Sequence, residues 1–353
     1  MKFQHFLFAA FAALTMIACE EVVVGDGYTI EVDKTTIEAD GQDLATFTVK
    51  DAEGNDLTAD ESMLSKIYFI DAATEARLPR ESRTFSSIRN GEYTFYASVK
   101  GQKTSNTVTI KVQNRKEYEK YLQKLCLVQI TGTWCVNCPS MTAALGEFRA
   151  GEYGENVILL ASHLNDKFSI RVNDKDLASS LFTHFGHTTA AVPNVVYDMA
   201  TIRSERAQYA ITTIVSEQLI KTPATCGVKI SSSSVDAEGN VTFEASVKAD
   251  KGANYDLAWA VLADNQVDSA GYEPVYNEVI VAASDNFLKM GKDKVALTKD
   301  QEYTKTFTAK VSGYAAKDLK IVAFAHSDAH GVQVIDNANE CKVGESVDYV
   351  YNN

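Results

Sequence analysis

The stretch TGTWCVNCPSM, residues 131–141, constrains the fold more than any other part of the chain. It follows LCLVQI at 125–130, a continuous apolar run of the kind that forms buried strands. It precedes MTAALGEF, in which apolar residues recur at helical spacing. The pattern therefore predicts that Cys135 and Cys138 lie at a strand-to-helix turn.

This position favours redox chemistry at the two cysteines. The unpaired backbone N–H groups and the macrodipole at a helix N-terminus stabilise a thiolate. We expect Cys135 to be the more exposed thiol, with a lowered pKa, and Cys138, one turn further in, to be the resolving thiol. Pro139 fits the first helical turn, where its missing N–H has no cost.

Two other interpretations of the cysteine pair stay open at this point. A structural zinc site needs four ligands, and no second CxxC stands near this one, although His163, His184 and His187 fall in the same region. We therefore predict no metal and no other cofactor here. The pair could instead be a permanent structural disulfide.

The N-terminus, MKFQHFLFAAFAALTMIACEE, has the pattern of an export signal. Its apolar run at 6–18 follows a single lysine and is too short to span a membrane. The run ends in MIAC, which resembles the lipobox of bacterial lipoproteins; the resemblance implies removal of residues 1–18 and acylation of Cys19. An ordinary secretory signal is the alternative. Residues 19–27 would then tether the protein to the membrane.

In the rest of the chain, apolar and polar residues alternate with the period of two that is typical of β-strands. In residues 28–113, Phe47 and Phe95 fall on faces that should meet as a core, and the pattern resembles bacterial immunoglobulin-like domains. Residues 225–353 predict an antiparallel sandwich, with an irregular crossover at 272–291 and with His326 and His330 in a solvated turn. The formal net charge of -13 argues against a nucleic-acid partner.

Residues 114–224 resemble the thioredoxin fold. The resemblance rests on the order strand, WCVNC, helix, strand, helix, a Val192-Pro193 strand and a final helix. It implies that Pro193 is cis and packs against the disulfide, and that Trp134 and Val192 help to position a substrate strand. Thioredoxins carry a buried carboxylate six residues before the first cysteine, where this chain has Gln129, so fast dithiol turnover of the thioredoxin kind is not implied.

Together with the lipobox and the IVAFAHSDAHGVQVID run at 321–336, this domain resembles the outer membrane protein twenty-eight family of Bacteroidetes lipoproteins. The resemblance covers residues 115–353, and the N-terminal module is a commoner accessory. We therefore predict a multidomain chain: an immunoglobulin-like sandwich at 28–113, a thioredoxin-like α/β domain at 114–224 and a β-sandwich at 225–353. The resemblance implies a lipid anchor in the outer membrane, facing the periplasm or the cell surface.

Three cysteines remain outside the signal and the CxxC pair. Cys126 is expected to be a buried, inert thiol on the first strand. Cys226 and Cys341 lie near the two ends of the last segment, and a disulfide between them is one pairing that the sequence allows.

Two functions therefore stand side by side. In the first, the protein is a thiol-disulfide oxidoreductase that acts on exported protein substrates, with Cys135, Cys138 and Pro193 as its site. In the second, it is a surface binding or adhesion lipoprotein in which the thioredoxin fold is a scaffold and the disulfide a staple. Either function involves the membrane through the lipid anchor and a protein partner of the cell envelope.

Overall fold

The computed structural model describes residues 27–78, 82–87, 89–113 and 120–352. The predicted signal peptide and the acylation site at Cys19 lie outside these ranges. The chain is rich in β-structure and forms several sheets. Within the described ranges, no helix is long and apolar enough to cross a membrane.

Residues 27–113 fold as facing β-sheets around an aromatic core. Phe47 and Phe95, predicted to meet, are fully buried with ring centroids 5.1 Å apart, so this part of the predicted core is confirmed. Strands β1, β3 and β5 form one sheet, and β2, β8, β6 and β4 form the other, with β7 paired to β6. The elements are β1 (Thr29–Val32), β2 (Thr36–Glu38), β3 (Ala45–Lys50), a 3-10 turn (Leu57–Ala59), α1 (Glu61–Leu64), β4 (Ile67–Asp71), β5 (Thr84–Phe85), β6 (Gly91–Val99), β7 (Gln102–Lys103) and β8 (Val108–Gln113).

Residues 120–224 alternate strands with helices. The predicted strand at 125–130 is confirmed, and every residue of it is buried, as expected of a central strand covered on both faces. The predicted helix after the CxxC motif begins at Cys138. The elements are β9 (Leu125–Thr131), α2 (Cys138–Arg149), a 3-10 turn (Gly154–Asn156), β10 (Val157–His163), β11 (Arg171–Val172), β12 (Lys175–Asp176), α3 (Leu177–His184), β13 (Asn194–Tyr197), β14 (Thr201–Arg203) and α4 (Gln208–Lys221).

Residues 225–352 are mainly long antiparallel strands. Strands β15, β16 and β20 form a small sheet that packs against β17 and β21. The elements are β15 (Cys226–Val235), β16 (Asn240–Ala249), β17 (Ala253–Ala263), β18 (Val279–Ala283), β19 (Val295–Leu297), β20 (Glu302–Lys310), a 3-10 turn (Ala316–Asp318), β21 (Leu319–Ser327) and β22 (Val334–Lys342).

One large sheet contains strands from residues 120–224 and from residues 225–352. Its strand order is β14-β13-β9-β10-β18-β17-β21-β22, with β19 paired to β17. The junction is the parallel pair of β10 with β18, at Ala161 and Val279. The sheet therefore continues past residue 224, the predicted end of the α/β domain, because β18 covers an edge of β10 that would otherwise be open.

A single hydrophobic core covers one face of this junction. Apolar residues of β9, β10 and α3 share a cluster with those of β17 and β21. Phe287 packs at right angles against Phe324, with ring centroids 5.4 Å apart. Both phenylalanines come from beyond residue 225, and they fill the same core as Leu181 of α3.

His326 corrects one expectation from the sequence. It lies within β21 and is fully buried, with its Nε2 atom 2.9 Å from the carbonyl oxygen of Asn286. Burial lowers the pKa of His326 to about 4, so the ring is neutral at physiological pH. The solvated turn predicted for both histidines contains only His330, which is half-buried.

The shared core leads to a prediction about a shortened chain. We expect residues 27–224 alone to lack cooperative unfolding of the α/β part, because removal of β17, β18 and β21 exposes one side of its core and one edge of β10. Thermal unfolding and amide exchange of 27–224, compared with 27–353, test this. Protected amides in β9 and β10 of the shortened chain would contradict it.

Candidate functional site

Cys135 and Cys138 form a disulfide at the start of α2. Their Cα atoms are 5.4 Å apart, and their residues are 5 % and 1 % exposed, so Cys135 is the more accessible of the two. The capping residue Asn137 makes no side-chain hydrogen bond to the helix, and Pro139 occupies the first turn. The N-terminal N–H groups of α2 therefore lie beside the cysteines without a side-chain cap from Asn137.

Trp134 is held in place although its side chain is half exposed. Its Nε1–H donates to the carbonyl oxygen of Leu164 at 2.9 Å. The indole lies across Gly132: a Cβ atom at that position would come within 2.9 Å of Nε1. The glycine of the TGTWC motif is therefore required for the close approach of the tryptophan.

Asp166 joins the CxxC turn to a buried histidine. Its Oδ2 atom accepts hydrogen bonds from the backbone N–H of Thr133 at 2.8 Å and from Nδ1 of His163 at 2.7 Å. Burial by itself would raise the pKa of Asp166, but the hydrogen bond and charge of His163 and the N–H groups of Thr133 and Phe168 together lower it. The carboxylate thus fixes both the turn and the orientation of the imidazole.

A cleft lies between α2 and the chain that precedes β18. It has a volume of about 100 Å³, and its lining combines apolar side chains with Gln129, Thr131, Thr142, His163 and Glu273. Within the described residues, the buried Thr131 Oγ1 and His163 Nε2 have no hydrogen-bond partner. The cleft is roomy enough to hold water molecules at these two polar atoms.

Gln129 and Thr142 connect this cleft to Cys138. The amide of Gln129 donates to Thr142 Oγ1 at 3.1 Å, and the Thr142 hydroxyl donates to the carbonyl oxygen of Cys138 at 3.3 Å. Burial raises the pKa of the Glu273 carboxyl, while hydrogen bonding to Thr142 and the charge of His163 oppose this effect. The Glu273 carboxyl therefore lines the same cleft as Gln129, but it comes from another segment of the chain.

That segment, residues 264–278, connects β17 to β18 and folds over the CxxC turn. The backbone N–H of Tyr272 donates to the carbonyl oxygen of Thr133 at 3.1 Å. Lys167 makes an ion pair with Asp268 at 3.5 Å. The irregular crossover predicted at 272–291 therefore begins at the site, and it includes strand β18.

Val192 and Pro193 lie at the same end of the sheet. Their peptide bond is cis, as the resemblance to thioredoxin implies. Asn194 pairs with Ile130 in the antiparallel ladder. Pro193, the residue before Asn194, therefore lies one position beyond this pair, where β9 ends and the CxxC turn begins. Val192 packs against the core on the α3 side of the sheet.

The disulfide that the sequence allows between Cys226 and Cys341 is not formed: both are buried free thiols. The N–H of Cys226 donates to Asp336 Oδ1 and its carbonyl accepts from Asn337, so it lies beside the start of β22. Cys341 is further along that strand by roughly 13 Å, at about 3.3 Å per residue. A disulfide needs Cα atoms within about 7 Å of each other, so these two cysteines are too far apart to form one.

Cys126 is also a buried free thiol, on β9. Burial raises its pKa well above the usual value, which keeps it protonated and unreactive. Among the residues that the structure describes, no group of three or more His, Cys, Asp or Glu side chains is placed to hold a metal ion.

Sequence reasoning missed Asp166 and Glu273. The HLND run at 163–166, at the end of a buried strand, could have suggested the His163–Asp166 pair, since polar side chains three residues apart in a turn can meet. The aromatic residues of 272–291, among them Tyr272, are typical of binding surfaces as well as of a crossover. Their place beside the CxxC turn, and that of Glu273, depends on pairing between distant strands.

Comparisons with known proteins give a likeness in fold. No family model matches the chain, and no curated protein matches it. The structure resembles HBP35 of Porphyromonas gingivalis with a TM-score of 0.51 and 19 % identity, over 64 % of this chain and 76 % of that one. A protein of Agrobacterium tumefaciens matches over 64 % of this chain and 97 % of its own, at 14 % identity and a TM-score of 0.45 that is too low to support an argument.

The first of these neighbours comes from a Bacteroidetes species. This agrees with the bacterial group to which the sequence resemblance points. At 19 % identity the likeness concerns the fold and not the activity.

The hydrogen bonds of Asp166 predict a pH-dependent loss of stability. Because its pKa is lowered in the folded state, the carboxylate stabilises the protein above the unfolded-state pKa of about 3.9, and this contribution disappears as the pH falls through the folded-state value. Asp166→Asn should therefore lower the free energy of unfolding by about 1–3 kcal/mol at pH 7, and by less near pH 3. Urea unfolding at both pH values measures this, with the exposed Asp285→Asn as control. An equal loss at both pH values would contradict the assignment.

Proposed function

We propose that the protein catalyses thiol-disulfide exchange on exported protein substrates through Cys135 and Cys138. The observation that carries the proposal is the disulfide at the uncapped start of α2, with a fixed Trp134 beside it and Pro193 at the same end of the sheet. A simple structural staple does not require an exposed tryptophan held in position next to it.

The exchange balances from the disulfide state of the structure. A substrate thiolate attacks Cys135 Sγ, which forms a mixed disulfide, while the bond to Cys138 breaks and Cys138 leaves as a thiolate that takes up a proton. A second substrate thiolate attacks the substrate sulfur of the mixed disulfide, and Cys135 leaves as a thiolate. The substrate dithiol loses two electrons and the cysteine pair gains them; the reverse sequence reduces a substrate disulfide.

The architecture and location form part of the same proposal. We assign residues 28–113 to an immunoglobulin-like module, 114–224 to a thioredoxin-like domain and the remainder to a β-sandwich that shares a sheet with it. Acylation of Cys19 anchors the protein in the outer membrane. Several acyl chains are needed for stable anchoring, since a single one gives only reversible binding.

A second function, binding or adhesion with a permanent disulfide, is favoured by two observations. Both cysteines are largely buried, at 5 % and 1 % exposure. Gln129, which cannot take up a proton, stands where thioredoxins carry a carboxylate.

The reduction potential and a trapping variant distinguish the two functions. For an exchange enzyme we expect a potential above about -280 mV against glutathione, as in known oxidoreductases. We also expect Cys138→Ser to accumulate mixed disulfides through Cys135, because the resolving thiol is missing. Cys135→Ser is the matched control and should trap nothing. A potential below about -300 mV with no trapped partner would support the structural staple.

A further inference from the structure

Exposed apolar side chains surround the buried disulfide. Trp134 and Val136 belong to the CxxC turn and are 50 % and 65 % exposed. Val267 and Tyr272 belong to segment 264–278 and are 60 % and 59 % exposed. We call these four side chains the apolar rim. Large apolar side chains gathered around a reactive group are typical of a binding surface.

Both halves of the apolar rim are attached to Thr133, the residue before Trp134. The Thr133 carbonyl accepts from the N–H of Tyr272. Asp268, next to Val267, hydrogen-bonds to the Thr133 side chain. Lys167 makes a hydrogen bond of 2.6 Å to the carbonyl oxygen of Val267. Segment 264–278 is therefore part of the site and is contributed by the C-terminal half of the chain.

Backbone contacts close the loop that carries Val267 and Tyr272. Its ends are joined by two hydrogen bonds between Gln266 and Tyr276, of 2.9 and 2.7 Å. A Cβ atom at Gly271 would lie 2.2 Å from the Tyr276 hydroxyl, so the loop packs closely on itself. Trp134 is fixed by its bond to Leu164. Aromatic side chains held in place in solvent bind a partner with little loss of entropy.

The shape of the site limits the occupant. Because the disulfide is recessed between exposed apolar groups, a cysteine on the flat surface of a folded domain reaches it poorly, while one on an extended segment reaches it readily.

We propose that the apolar rim binds an extended, unfolded polypeptide segment in which apolar side chains flank a cysteine. The inference rests on the proposed exchange at Cys135 and specifies its substrate class: exported chains that have not yet buried their apolar residues. Val267 and Tyr272 determine this preference, while the chemistry stays with the cysteine pair.

Short synthetic peptides test the preference. Two peptides of equal length and charge carry a central cysteine, one flanked by Leu, Val and Tyr and the other by Ser and Gly. The rate of mixed-disulfide formation with the oxidised protein should be about tenfold higher for the apolar peptide, the effect typical of a well-placed aromatic contact. Equal rates for two peptides that both react would overturn the proposal.

The variants locate the effect. The double change Val267→Ser with Tyr272→Ser should slow the apolar peptide about tenfold more than it slows dithiothreitol, since this small dithiol does not need the apolar rim. Val332→Ser, an equally exposed valine between β21 and β22, is the matched control and should change neither rate. An equal loss with peptide and dithiothreitol would overturn the proposal.

A cysteine-free form of the apolar peptide separates this inference from the proposed function. With serine in place of cysteine, its binding is measured by calorimetry. If neither peptide nor dithiothreitol reacts, the exchange activity is refuted, and binding that is lost in the double variant still supports the apolar rim. Absence of binding to the unchanged protein would overturn it.

Discussion

The parallel pairing of β10 with β18 determines how the site is assembled. Ala161, near the carboxyl end of β10, lies opposite Val279, the first residue of β18, and its N–H donates to the carbonyl oxygen of Glu278. This stagger places the chain before β18 at the edge of the sheet where β9 and β10 end. Since the CxxC turn follows β9 and His163 ends β10, segment 264–278 meets both of them there. The same pairing merges the core of the α/β part with that of the C-terminal strands.

The electrostatics of the site differ from those that the sequence resemblance implies. Gln129 leaves the usual carboxylate position neutral, yet Glu273 approaches the same cleft from another part of the chain. Asp166 holds His163 by Nδ1, and the buried Nε2 has no hydrogen-bond partner among the described residues. A carboxyl and an imidazole therefore line the cleft next to the helix that carries Cys138.

Much of the local structure could be predicted from periodicity alone. The apolar run before the CxxC motif is β9, the helix after it is α2, and the strand after Pro193 is β13, because a run of this kind depends on neighbours in sequence. The period of two also placed Phe47 and Phe95 on the faces that meet in the core.

What escaped prediction depends on distant strands. The register of β10 with β18 joins residues more than a hundred positions apart, and local patterns do not encode such pairings. The roles of Tyr272 and Glu273, the burial of His326 and the separation of Cys226 from Cys341 all follow from that register or from the strands beyond it.

The most direct test of the redox account is the pH dependence of Cys135 alkylation in the reduced protein. Iodoacetamide reacts with the thiolate, so its rate reports the thiol pKa. The account predicts that a single cysteine, absent in Cys135→Ser, reacts with an apparent pKa clearly below the usual value of about 8.5. Alkylation that is slow at neutral pH, with an apparent pKa at or above that value, would contradict it and leave the disulfide as a structural element.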